Sequence, residues 1–562
     1  MRQIRCISSL RALSLIAAAV ILSYPSPVSA GAKLTIVNND GPGEGFNDPT
    51  PVAPVGGNTG TTPGQQRLIA FQYAATLWGA TLDSNVEIVV RAAFDPLGPN
   101  TLGSASTIGV FADFPGVGSF PGAAFFQTWY HSALADKRAG TDLSPGVPDI
   151  SARFSSDFNF YLGLDNNHGA LNDLVAVVLH ELAHGLGFST FVDESTGKNF
   201  SNRTDIYSQF TLDTADNTVW SDYSNNPQRK ASALRVDGVV WNGSAALAAV
   251  PHVLSFGRPE LAFNAPMSLG PPVRIGTASF GSALTASGIS GDVVLGLDGS
   301  TDPAATGTAT DACQPLTNAA AVAGRIALVD RGVCTFVVKV ANAQAAGAIA
   351  VLVADNVADN PPAGLAGTNP AIAIPSGRIT LATGNAIRTL LAQGTAVNVT
   401  LALDLTQRAG ADLSDRPLLF ATNPVQPGSS ISHWDSIAFR NQLMEPALNP
   451  DLTHEVIPPF DMTLAQLRDV GWFLDADLNG MTDQTVILGT CNTGLPNSVL
   501  SNGAALADQA RVWLRDCSGA KNAGQFATCV NKVTTAASRS GLITAAQKEA
   551  IAACTGQAFG TQ

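Results

Sequence analysis

Charge is scarce in this chain, and positive charge most of all. Only 13% of its 562 residues are charged, and 31 Lys and Arg against 44 Asp and Glu give a formal net charge of −13. Nucleic-acid binding needs a basic face, so nucleic acid is not an expected partner. No cysteine lies between Cys6 and Cys313, which denies that long stretch any internal disulfide. After residue 30 there is no long uncharged apolar run, so no integral membrane segment is expected beyond that point. Histidine and glutamate are sparse too, with seven histidines in all.

Glycine (53) and proline (33) are plentiful and point to a loop-rich, strand-containing protein rather than a helical bundle. Residues 1–30 read as a secretory signal peptide. Arg2, Arg5 and Arg11 precede an apolar core at Leu13–Leu22, and Val28-Ser29-Ala30 fits the cleavage rule, placing the mature start near Gly31. Pro25 and Pro27 argue against a membrane anchor there. The expected location is secreted, either periplasmic or extracellular. Behind such a signal the remaining Cys313, Cys334, Cys491, Cys517, Cys529 and Cys554 read as three disulfides.

One segment stands out against this background: His180-Glu181-Leu182-Ala183-His184-Gly185-Leu186-Gly187-Phe188, or HExxHxxGF. At this composition chance supplies only roughly 0.001 HExxH matches per chain. Leu171, Leu174, Val175, Val178 and Leu182 recur at helical spacing ahead of it, with Asn172 or Asp173 as N-cap and Gly185 and Gly187 as the way out. On a helix, residues four apart share a face, so His180 and His184 can grip one ion while Glu181 flanks them as a base. Upstream, Leu34–Val37 and Val86–Ala93 read as strands and Gln65–Leu77 as a helix. Asp149–Leu162 reads as the last strand before the site.

From Ala283 to about Leu405 the composition shifts to short strands and an Ala-rich helix. Arg325–Val329, the helix from Cys334 to Ala346 and Ala348–Ala354 form a strand–helix–strand unit. The runs Asp311–Leu316, Ala327–Phe336 and Lys339–Ala348 resemble the protease-associated (PA) domain. That resemblance implies a Cys313–Cys334 disulfide and either a spacer or a surface restricting substrate access. Further on, Asp475, Asp477 and Asn479 followed by Gly480 begin like a calcium loop, but position twelve is Val486, so it is no EF-hand. A weak Ca2+ site and a solvated linker turn both remain open. Residues 504–514, 526–537 and 545–553 have helical spacing in a module with four cysteines.

A zinc site needs a third protein ligand. Completing the motif in place would put histidine at position 190, which is Thr190. Glu194 and His252 are alternatives, while His131, His168 and His454 read as structural. Ser432-His433-Trp434, then Asn441–Pro446, then Asp461–Trp472, taken with HExxHxxGF, resembles the leishmanolysin-like metallopeptidases. In that family the metzincin motif is split by an insertion. The resemblance implies His433 as third ligand and Met444 as the residue of the turn beneath the metal. Two departures stand: the family's many catalytic-domain cysteines are missing, and no propeptide cysteine is available to block the metal. A long insertion is no physical objection, because loop closure costs only about 0.6 kcal/mol per doubling of length.

The expected fold is α+β. A metzincin-like catalytic domain (31–270 and 411–474) carries a PA-like α/β domain (271–410) inserted between its zinc ligands, followed by a linker and disulfide-linked helical module (475–562). The expected function is that of a zinc-dependent endopeptidase: Zn2+ on His180, His184 and His433, Glu181 as general base, and extended polypeptides bound along an edge strand. The competing class is a secreted binding or adhesion protein with a structural or vestigial zinc. A zinc hydrolase acting on something other than peptide has no specific support.

Overall fold

The computed structural model describes residues 31–299, 307–358 and 360–559. The expected signal peptide lies outside them. Among the described residues no helix is long and apolar enough to cross a membrane.

The N-terminal region builds a four-stranded sheet, with smaller sheets beside it, and the helices that cover it. Strands β1 (Leu34–Asn38), β2 (Ile88–Asp95) and β4 (Ile150–Ser155) are parallel neighbours; β3 (Gly103–Thr107) runs antiparallel on β4 and forms the sheet edge. Helix α1 (Pro63–Thr81) starts where Thr62 accepts the Gln65 N–H and Pro63 presets the first turn. A short helix, α2 (Ser132–Ala139), precedes β4. Helix α3 (Leu174–Leu186) carries HExxH. Asp173 caps it by accepting the Val175 and Ala176 amides, and Gly187, at φ 134°, ends it. Helices α1 and α3 pack on each other, and the Trp78 indole donates to the Leu179 carbonyl.

The inserted unit is an eight-stranded sheet. In chain order its strands are β5 (Phe256–Ala265), β6 (Val273–Arg274), β7 (Gly276–Thr277), β8 (Ile289–Leu295), β9 (Ile326–Asp330), β10 (Ala350–Ala354), β11 (Ser376–Ile379) and β12 (Asn398–Arg408), and across the sheet they run β6-β5-β12-β8-β9-β10-β11-β7. Helices α4 (Phe336–Ala345) and α5 (Leu381–Ala392) cover it, and the alternating residues of β9 and β10 feed a separate core on each face. The chain enters on β5 and leaves on β12, which pair antiparallel from Phe256 and Arg408 onward. The two ends are therefore adjacent, so the insertion closes like a short loop. Because β5 belongs to this sheet, the inserted unit reaches upstream of the expected boundary at residue 271. Pro259 hid that strand from a reading by pattern.

Residues after β12 return to the first core. Trp434, Met444, Leu464, Leu467 and Trp472 share one buried cluster with Trp78 and Leu179. Helix α6 (Thr463–Val470) lies there, and the Trp472 indole donates to the Leu186 carbonyl at the end of α3. The C-terminal module is more than helical. A hairpin, β13 (Thr485–Leu488) with β14 (Cys491–Pro496), packs with α7 (Leu506–Asp516), α8 (Ala523–Arg539) and α9 (Ala545–Ala558). Disulfides join Cys491 to Cys554 and Cys517 to Cys529, and Cys313 to Cys334 in the inserted unit.

Candidate metal centre

His180 and His184 project from adjacent turns of α3, and the loop after β12 brings His433 to meet them. The Nε2 of His180 lies 3.2 Å from Nε2 of His184 and 3.2 Å from Nε2 of His433. Each ring is fixed from behind by a backbone carbonyl. Nδ1 of His180 donates to Leu443 O (2.7 Å), that of His184 to Phe188 O (2.8 Å) and that of His433 to Ser429 O (2.8 Å). A carbonyl only accepts, so the proton of each neutral ring sits on Nδ1 and the bare Nε2 faces inward. Burial disfavours the imidazolium at all three. It pulls His180 down to about 4 and His184 to about 3, and it pushes His433 well below its ordinary value. Three neutral lone pairs at this separation repel, and a cation among them relieves the repulsion. A neutral N3 donor set suits zinc, with a fourth coordination position left open.

Glu181 sits beside this cluster, buried, and burial raises its carboxyl to about 8 against a hydrogen bond from the Ala105 backbone. Gly103 makes room for it: a Cβ there would stand 2.8 Å from the Glu181 Oε1. The three histidines and Glu181 line a cavity of about 910 Å³, and one wall is Gly103–Ser106 of the edge strand β3. Among the described residues no lysine or arginine lines it.

The other expected residues find distinct places. Met444 is fully buried in a turn, and its carbonyl accepts the Trp434 N–H, 2.8 Å away, next to His433. Thr190 donates its hydroxyl to Asp205, while its amide donates to Ser432 Oγ (3.2 Å). The segment holding His433 therefore lies against position 190, where an unbroken motif would place its third ligand. Glu194 lines the cavity, and burial lifts its carboxyl to about 7, but it is not among the converging donors. His252 is exposed, and His131 meets Ser189. His168 faces the Leu171 and Pro450 carbonyls, and His454 meets Asp173. Sequence reading missed Gly103, which clears space for Glu181, and Leu443 and Ser429, whose carbonyls orient the rings; backbone donors and acceptors leave no side-chain signature.

The calcium reading of Asp475, Asp477 and Asn479 is corrected by the structure. The Asp475 carboxylate is buried against the Lys137 ammonium of α2 at 2.9 Å and also accepts the Gly480 amide. A lysine fills the position a cation would need, and only His180, His184 and His433 form a metal-competent group among the described residues.

Comparison with curated proteins finds no match. Among solved structures, BSAP, a zinc aminopeptidase from Bacillus subtilis, is similar over 28% of this chain and 35% of that one, at 24% identity and a TM-score of 0.19. An aminopeptidase from Aneurinibacillus sp. strain AM-1 covers 36% and 42%, at 17% identity and 0.19. A peptidase M28 precursor from Shewanella amazonensis SB2B covers 27% and 36%, at 15% identity and 0.18. This chain spans less than half the length of each. The PA family model matches residues 289–387, so the inserted α/β unit contains a PA domain over those residues.

Proposed function

We propose that this protein is a zinc-dependent peptidase that cleaves polypeptides internally, with the split site of the leishmanolysin-like metzincins. The observation that carries the reading is the convergence of three unprotonated Nε2 atoms beside a buried carboxyl, in a cavity walled by an edge strand. His180, His184 and His433 would hold the zinc. Zinc, when bound, supplies a Lewis acid that activates water near neutral pH and polarises the scissile carbonyl.

The remaining work falls to the chain. The Glu181 carboxylate takes the proton of the attacking water and returns it to the leaving amine. The free edge of β3 offers backbone N–H and C=O groups to an extended peptide, which aligns the scissile bond without demanding particular side chains. The carbonyls of Leu443, Phe188 and Ser429 hold the ring tautomers, and the turn at Met444 supports the His433 segment. Three disulfides suit an oxidising compartment and a secreted protein.

The test compares the purified chain with Glu181→Ala for zinc content and for cleavage of an unstructured protein and of an N-terminally blocked peptide. Equal zinc, cleavage of both substrates by the unsubstituted chain, and a loss of about 10²–10⁴-fold in the variant are expected. Zinc bound by both with cleavage by neither would favour the binding-protein reading instead. Cleavage that requires a free N-terminus would replace internal cleavage by aminopeptidase action.

A further inference from the structure

We infer that Asp461 is a positioning residue for the metal centre, acting on His180 through Leu443. The inference rests on the zinc site proposed above. Leu443 is held at both ends. Its carbonyl accepts the His180 Nδ1–H at 2.7 Å, and its own N–H donates to Asp461 Oδ2 at 2.6 Å. The second carboxylate oxygen accepts the Thr463 N–H, also at 2.6 Å. Asp461 is 2% exposed, and the groups that offset its burial are the Thr463 and Leu443 hydrogen bonds rather than a lysine or arginine.

A buried carboxylate without a cation is expensive. Starting α6 is not enough to explain it, because an ordinary cap residue satisfies the first amides of a helix from an exposed position. What Asp461 adds is the link to Leu443. Charge-assisted hydrogen bonds are short and directional, so the carboxylate pins the N–H side of Leu443, the residue whose own carbonyl, in the next peptide, fixes the His180 tautomer and ring plane. The neighbouring contacts brace the same turn: the Met462 amide donates to Gln442 Oε1 (3.0 Å), and the Gln442 amide to Glu445 Oε1 (2.6 Å).

Asp469 is the built-in comparison. It too is a carboxylate from the same segment that accepts backbone amides, here those of Ala245 and Ala246, together with the Trp241 indole. Its hydrogen bonds run to Trp241, Ala245 and Ala246, and among the described residues none goes to Leu443, Phe188 or Ser429, whose carbonyls hold the histidines.

The experiment measures the zinc dissociation constant of the full chain by competition with a chromogenic chelator, alongside the melting temperature of the metal-free protein. Asp461→Asn is expected to weaken zinc binding about 10–100-fold, the range for loss of an outer partner of a ligating histidine. Asp469→Asn is expected to lower the melting temperature with zinc affinity within about threefold of the unsubstituted chain. Asp461→Glu separates charge from packing, since the expected order of affinity is Asp, then Glu, then Asn. If D461N does not accumulate, Asp461→Ser, which keeps an oxygen and no charge, takes its place. Zinc affinity unchanged in D461N, or reduced as much in D469N, or better kept in D461N than in D461E, overturns the inference and leaves the metal centre standing. Failure of the unsubstituted chain to bind zinc overturns both.

Discussion

Two polar clusters of this molecule invite a cation, and they differ in what faces the donors. At the Asp475 loop the Lys137 ammonium is already in place, 2.9 Å from a fully buried carboxylate, so the charge is closed off within the protein. In the cleft over α3 no lysine or arginine among the described residues lines the cavity, and three neutral nitrogens face one another with their protons turned away. The first arrangement is a buried ion pair that ties the linker after α6 to α2. The second is a set of three inward-facing imidazole nitrogens. Regular spacing of donors is common to both, so the presence or absence of a counter-charge decides which one is suited to a metal.

The comparison breaks most visibly at the ion pair. Lys137→Ala leaves Asp475 buried and unpaired and is expected to cost about 3–5 kcal/mol of stability, read by chemical denaturation, with zinc affinity unchanged. Calcium or its chelation should leave the melting temperature of the unsubstituted chain where it was. A calcium-dependent shift abolished by Asp475→Asn would restore the loop as a metal site.

Next in size is the titration of Glu181. Its carboxyl is raised from 4.5 to about 8 in the folded, metal-free chain. The folded state therefore holds this proton more tightly than the unfolded state does. Stability from this group is full below about pH 4.5 and is lost as pH rises through about 8. Glu181→Gln removes that loss, so the metal-free variant should gain on the parent by several kcal/mol as pH rises from 4 to 9, with the difference gone at pH 4. A pH-independent difference would contradict the burial of this carboxyl.

The smallest expected effect sharpens the site itself. Gly103→Ala puts a methyl group against Glu181 while leaving the histidines untouched. A fall of about tenfold in kcat is expected, near 1.4 kcal/mol, with zinc affinity retained. Loss of zinc with equal severity would mean that β3 supports the metal cage rather than the base.

Much of this site was legible in the chain because it is written locally. HExxH sits on one face of an apolar helix, and Asp173 and Gly187 mark the helix ends. His433 was legible only through the company it keeps with Trp434, Met444 and the segment from Asp461. No spacing rule joins residues 253 positions apart, as His180 and His433 are. Lys137 and Asp475 are 338 positions apart, which is why the loop read as a cation site until its partner was seen. The hairpin at Thr485–Pro496 escaped because four-residue β13 is too short to show a period. Strand β5 escaped because Pro259 interrupts its pattern. The PA unit was readable because its strands and helix alternate at close range.

The central claim is that one zinc ion is held by three histidines brought together across an inserted domain. X-ray absorption at the zinc edge tests it most directly. The account predicts three imidazole nitrogens at about 2.0–2.1 Å in the full chain, and no such zinc signal retained by His433→Ala after dialysis. A spectrum with only two imidazoles, or one left unchanged by the substitution, would contradict it.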